Sequence, residues 1–217
     1  MWVIMKMVIK KGDFIELDFI AKIDNTGLVY DTTIEKIAKD NNIYNKEHKY
    51  VPIIATVGEG HTLLGLDEFV VGKELGKYVV KIPPEKAFGK KSTKLLRLVS
   101  IGEFHKNQIQ PVPGLEVELD EQRGIVRTVN GGRVLVDFNH PLSSQDVTYD
   151  IDIKEIVTDD KKKIEGLLNV MKIPIKSVEL LEGKATIEFG MEIPKELTKP
   201  IADEIVRLVG VRDIVFK

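Results

Sequence analysis

No cysteine occurs in the 217 residues, which excludes disulfide staples, thiolate nucleophiles and cysteine-type zinc sites. Histidine is scarce as well. His48, His61, His105 and His140 are scattered without partners at metal-ligand spacing, so neither a metal nor a cofactor is expected. Neither sign of charge dominates: 32 Lys and Arg stand against 34 Asp and Glu, a formal net charge of −2. Nothing in that balance favours a nucleic-acid backbone or an anionic membrane surface. Long apolar runs are also missing. Residues 1–9 are apolar but too short for a signal-peptide core or a membrane span, and Met5 and Met7 are alternative starts. What remains is 43% hydrophobic and 30% charged, the composition of a soluble, cytoplasmic globular protein large enough for two or three small domains.

The pattern along the chain is that of an α+β protein. Residues 14–23 alternate, with Phe14, Glu16, Asp18 and Ile20 opposed to Ile15, Leu17 and Phe19, and Gly27 closes a hairpin onto residues 28–31. Asp31, Thr32 or Thr33 caps a helix over residues 34–40, and residues 50–57 form the next strand. Leu63, Leu66 and Val70 fall at helical spacing, with Gly65 leaving room for another backbone. Tyr78, Val80 and Ile82 share one face of a strand that Pro83-Pro84 ends. After Gly89 the composition turns to Lys-Lys-Ser-Thr-Lys, the entry to a second, all-β module. There Leu115, Val117 and Leu119 alternate, and residues 125–129 and 134–138 flank the turn Asn130-Gly131-Gly132. Beyond residue 158, Ile164, Leu167, Leu168 and Met171 give an amphipathic helix and Glu182-Gly183 a hairpin. A second helix starts at Pro200, capped by Thr198 or Lys199, and stops at Gly210; residues 214–216 end the order α-β-β-α-β.

Several of these segments resemble, in order, the FKBP-type peptidyl-prolyl isomerases. The core of the likeness is Val57-Gly58-Glu59-Gly60, the run Leu63-Leu64-Gly65-Leu66-Asp67, and the stretch from Gly76 to Phe88-Gly89. Tyr30-Asp31 after Asp24-Asn25-Thr26-Gly27, and Asn139-His140-Pro141-Leu142 before the strand at residues 146–153, extend it. Together they look like the long-type branch, the SlyD-type and archaeal members with an inserted chaperone domain. The likeness covers residues 14–156 and leaves the last sixty or so uncovered. It implies an FKBP-like antiparallel sheet wrapped on a short helix, formed by residues 1–90 and 139–157, with a flap domain inserted at 91–138 and a small α/β domain at 158–217.

Carried over residue by residue, the resemblance implies a proline pocket walled by Phe19, Tyr30, Ile53, Leu63, Leu66, Phe88 and Tyr149. Asp31 is its one carboxylate, and the backbone N–H of Leu63 holds a substrate carbonyl. Tyr30, Asp31 and Phe88 take the catalytic role; Phe19, Ile53, Leu63, Leu66 and Tyr149 bind substrate. Phe88 stands where the family commonly has tyrosine, and Leu66 where the small single-domain members have tryptophan. Read on the residues alone, Asp31 is more readily a helix cap, Phe19 and Tyr149 are more often plain core, and His140 is a turn residue. Gly58-Glu59-Gly60 lacks the third glycine of a nucleotide loop.

A prolyl peptide bond rotates slowly because resonance must be broken, at a barrier of about 18–20 kcal/mol. No proton transfer and no covalent intermediate is needed, so a dry aromatic pocket that binds the twisted amide best is sufficient. The expected substrates are proline-containing peptides and unfolded proteins. Leu95, Leu96, Leu98, Val99 and Phe104 are the expected exposed client surface of the insert. The rival readings are a binding module without catalysis and an RNA-binding barrel over residues 114–138, which the acidic balance disfavours. Residues 161–217 are too few to bury their own apolar surface, so they are expected to form a homodimer; the alternatives are docking on their own chain or on another partner.

Overall fold

The computed structural model describes residues 7–217, so the alternative start at Met5 and most of the apolar opening stretch lie outside the described residues. In chain order the elements are β1 (Phe14–Ile23), β2 (Val29–Thr32), α1 (Glu35–Asp40), β3 (Ile53–Thr56), α2 (Leu64–Val70), β4 (Gly76–Ile82), β5 (Leu96–Ser100) and α3 (Ile101–Lys106). Then follow β6 (Glu116–Leu119), β7 (Gln122–Asn130), β8 (Arg133–Asp137), β9 (Val147–Val157), α4 (Asp160–Val170), β10 (Ile175–Leu181), β11 (Lys184–Phe189), α5 (Lys195–Val209) and β12 (Asp213–Phe216). They group into two units, one running through Ala87 and resuming at Asp146–Lys217, the other Phe88–Gln145. The architecture is α+β. No helix among the described residues is long and apolar enough to cross a membrane.

The first unit is built on a five-stranded antiparallel sheet in which β2 and β3 both pair with β1, followed by β9 and β4. Period-2 alternation in β1 turns Ile15, Leu17 and Ala21 inward, where they are buried with Ile151 and Ile153 of β9 and Val80 and Ile82 of β4. Helix α2 lies on β4 and buries Leu66 and Val70. Gly65 does permit a close approach, but to the side chain of Ile82 rather than to backbone. Strand β3 is shorter than expected because Pro52 has no N–H to give a ladder. None of Asp31, Thr32 and Thr33 caps α1. Its N-cap is Ile34, whose side chain caps nothing; Thr32 accepts the N–H of Ile34 itself, Thr33 donates to Asp18, and Asp31 accepts the N–H of Thr32.

The outward face of β1 carries Glu16, Asp18, Ile20 and Lys22 after an apolar start. Phe14 and Val157 there join Ile164, Leu167 and Leu168 of α4, Val178, Ala185 and Ile187 of the three-stranded sheet β10-β11-β12, and Ile201 and Ile205 of α5 in one core. Part of the apolar surface of residues 161–217 is therefore covered within the chain. Helix α5 begins five residues before the expected Pro200, which sits inside it. A proline near the helix start forfeits one intrahelical bond at most, so it marks the first turns rather than the first residue.

The second unit is a four-stranded sheet in the order β5-β8-β7-β6 around Phe104, Val117, Val126, Val134 and Val136. It is not all-β. Ser100 accepts the N–H of Gly102 and starts α3, which turns Phe104 into the centre of that core. Phe104 is 1% exposed and Val99 packs against the same core, so neither forms the exposed surface expected of them. Leu95, Leu96 and Leu98 are exposed, and β5 is an edge strand.

Candidate active site

One row across the sheet defines the site. Asp31 of β2 pairs with Ala21 of β1, Ala21 with Tyr149 of β9, and Tyr149 with Val80 of β4. Laterally paired residues point to the same side of a sheet, so Asp31, Ala21 and Tyr149 share the inner face. Ala21 between them carries only a methyl group and is fully buried. The neighbour of Asp31 would ordinarily face the other way. Here the register of β2 advances by two residues, from Asp31 to Val29, while β1 advances by one, from Ala21 to Lys22. Tyr30 is the extra residue of this β-bulge, and bulges re-aim side chains. Its hydroxyl donates to the hydroxyl of Tyr149 at 3.1 Å.

The rings follow. Phe19 and Tyr149 have centroids 5.5 Å apart, and Tyr30 meets Tyr149 edge-on at 6.3 Å. Tyr149 is buried, Phe19 and Tyr30 are half-buried, and Asp31 is exposed at the edge. Burial, then the bond to Tyr149, pushes the Tyr30 phenol well above its ordinary value; burial lifts that of Tyr149 to about 12. Ile53, paired with Leu17, faces the same side from β3. Leu63 caps the start of α2, and Leu66, 2% exposed, lies one turn in.

The loop ahead of α2 is held by a residue that reading the sequence alone passed over. Asp67 is buried and its two oxygens accept the N–H groups of Gly58 (2.8 Å) and Gly60 (3.1 Å). An acidic residue in the first turn of a helix that follows a glycine-rich loop was the available signal. His61 accepts the N–H of Thr56 through Nδ1 at 3.1 Å, so it serves the loop rather than chemistry. Phe88 belongs to the second unit, where its ring stacks on His140 at 4.5 Å. A hollow of about 370 Å³ draws mainly on outward-facing Asp18, Ile20, Val79, Asp150 and Asp152; Phe19 also lines it, but neither Tyr30 nor Tyr149 does. Its carboxylates are engaged by Lys22 and Lys154.

Three neighbouring rings with a hydroxyl pair, and one carboxylate on the same face of the sheet, suit work done by binding rather than by forming bonds. Residues 6–97 match the sequence model described as FKBP-type peptidyl-prolyl cis-trans isomerase, and residues 97–142 the one described as FKBP26, IF domain. The chain is 34% identical over 150 residues to the short-type peptidyl-prolyl cis-trans isomerase of Methanocaldococcus jannaschii, covering 69% of this chain and 94% of that protein. It is 34% identical over 111 residues to the FKBP-type 16 kDa peptidyl-prolyl cis-trans isomerase of Escherichia coli, covering 48% of this chain and 74% of that one. Against the FKBP-type peptidyl-prolyl cis-trans isomerase SlyD of Vibrio cholerae it is 30% identical over 135 residues, 58% of this chain and 63% of that protein. The chain belongs to the FKBP-type peptidyl-prolyl cis-trans isomerase family.

Proposed function

We propose that the chain isomerises prolyl peptide bonds in the pocket of Phe19, Tyr30 and Tyr149, as a long-type member of its family with chaperone activity in the cytoplasm. The observation that carries this reading is the bulge that brings Tyr30 to the same side of the sheet as Asp31 and Tyr149. The proline ring enters among the aromatic faces, with Ile53, Leu63 and Leu66 as apolar walls. The N–H of Leu63 holds the flanking carbonyl, and the Asp31 carboxylate sets the field at the rim. The twisted amide has less resonance and is less strongly hydrated than either planar form, so a dry pocket favours it over both. Each tenfold of rate asks for about 1.4 kcal/mol of that preference.

A protease-coupled assay on a proline tetrapeptide, or refolding limited by proline isomerisation, tests this. Asp31→Ala and Tyr30→Ala should each slow the accelerated phase; full activity in both would remove the assignment.

The insert, 91–138 in the expected division, is the client-holding module, and its surface is Leu95, Leu96 and Leu98 on or beside the edge strand β5. The domain at 158–217 makes a homodimer. Support comes from β10 and β12, the outer strands of its sheet, and from exposed Leu181, Met191 and Leu197. Two grooves on one dimer would raise the effective concentration of sites for an unfolded chain. Light scattering at micromolar concentration should report twice the chain mass, and a truncation ending at Thr158 should report the monomer.

A further inference from the structure

The family sequence models end at residue 142, and the isomerase reading gives α4 and α5 no part in the pocket. The contacts of both helices with the pocket's supports are specific. Strand β3 presents Ile53, paired with Leu17, to the pocket side and Ile54, paired with Glu16, to the opposite side. Helix α4 meets Ile54 at Gly166, where a Cβ would lie 2.5 Å from that of Ile54. No other residue lets the helix approach so closely, so the strand carrying Ile53 is pressed from behind.

The second contact is on the loop that enters α2. Glu59 stands between Gly58 and Gly60, the two residues whose N–H groups Asp67 holds from one side. From the other side Arg207 of α5 forks onto Glu59, Nη1 to Oε1 at 3.2 Å and Nη2 to Oε2 at 2.6 Å. Glu204, one turn earlier on α5, accepts from Nε at 2.9 Å and from Nη2 at 2.6 Å and so fixes the guanidinium plane. Paired planar forks of this kind hold direction as well as distance. Hydrogen bonds from Arg207 hold both the Glu59 and the Glu204 carboxyls below their ordinary range. His61 ties the far end of the loop to Thr56, and two residues later comes Leu63.

We propose that the C-terminal domain clamps the substrate site, with Arg207 as the positioning residue that holds the 57–63 loop, and hence the Leu63 N–H, in its binding position. This rests on the reading of the pocket as a prolyl site. It deepens that reading by giving the domain a task in substrate affinity within a single chain. A displacement of a fraction of an ångström in a fixed donor is enough to weaken a site that works by placement.

The full-length chain is compared with Arg207→Ala, Arg207→Lys, Glu59→Gln and the double variant Glu59→Gln/Arg207→Ala. The side chain of Arg207 is half exposed, so these proteins are expected to fold, and melting curves verify it. In the protease-coupled assay Arg207→Ala should raise KM about threefold to fivefold with kcat within about twofold. Arg207→Lys, which keeps the charge but not the fork, should recover only part. The double variant should be no worse than either single one, since all three break the same contact. In about 1 M salt, where screening reaches about 3 Å, wild type and Arg207→Ala should converge, which a purely structural defect would not do. Hydrogen exchange gives a readout independent of catalysis: amides of the 57–63 loop should exchange at least about fivefold faster in Arg207→Ala, with the β1 and β9 amides unchanged. Unchanged KM or unchanged loop exchange in Arg207→Ala overturns the clamp. A wild-type chain that does not isomerise prolyl bonds overturns the pocket reading instead, and loop exchange then decides the clamp alone.

Discussion

The hydroxyls of Tyr30 and Tyr149 are 3.1 Å apart, with Tyr30 donating. Two hydroxyls in one bond use one proton and leave the other to be offered to a substrate carbonyl, here beside a ring between Ala21 and Val80 in the middle of the sheet. Tyr149→Phe should then lower kcat/KM about tenfold, the worth of one well-placed hydrogen bond, and move the melting temperature little. Both phenols are held above their ordinary values, Tyr149 at about 12. They stay protonated through neutral and mildly alkaline solution, so the wild-type rate should be flat across that range. A rate that falls on raising pH toward about 9 would show that another group carries the hydroxyl's role.

Phe88→Tyr supplies the hydroxyl that the family commonly has at this position. It should keep or raise kcat/KM. A clear fall would mean that Phe88 is placed for its stacking on His140 and not for substrate.

In the insert, exposure separates two variants that a sequence view treats alike. Phe104→Ala empties the centre of the core and should destabilise that unit by about 3–5 kcal/mol. Leu98 is 63% exposed, so Leu98→Ser, with Leu96→Ser beside it, should leave the melting curve within about 0.5 kcal/mol while suppression of client aggregation is lost. Aggregation of a reduced model client followed by light scattering measures this. Undiminished suppression by the double serine variant would move the client surface elsewhere.

His61 predicts a pH effect on stability. Burial lowers its pKa below the ordinary 6.5, with Glu59 and Asp67 pulling the other way. The unfolded chain binds a proton that the folded ring refuses, so folding stability is full above pH 6.5 and falls as pH drops through the folded value. The carboxyls held low, Asp24, Glu59, Asp137 and Glu204, lose their contributions only below the ordinary values of 3.8 and 4.5. The window from pH 6.5 to about 5 therefore reports on His61. His61→Gln, which keeps an acceptor for Thr56 but does not titrate, should flatten the melting temperature across it. An equal slope in both proteins would assign the effect to another group.

Much of this was legible in the sequence. The alternation of β1, the hairpin at Glu182-Gly183, the apolar stripe of α4 and the helix at Leu64–Val70 are local patterns, set by the spacing of side chains along one element. Helix α3 carried a local signal too. Ser100 followed by Glu103 has the form of a capping box, but a six-residue helix offers too short a period to outweigh the apolar run around it.

The sequence by itself determined which residue types the candidate site draws on and on which elements they stand. Only the tertiary structure decided how they meet. Tyr30 and Asp31 face together because the pairing of β2 with β1 slips by one residue, and a slip belongs to two strands and not to either. Phe104 turned inward and Leu98 outward because one has a core to enter and the other ends on an edge strand, which no spacing along residues 95–104 encodes. Arg207 found Glu59 across 148 positions of chain. Charge and reach make that pair possible, but the choice among many exposed carboxylates is made by the shared core that brings α5 to the loop.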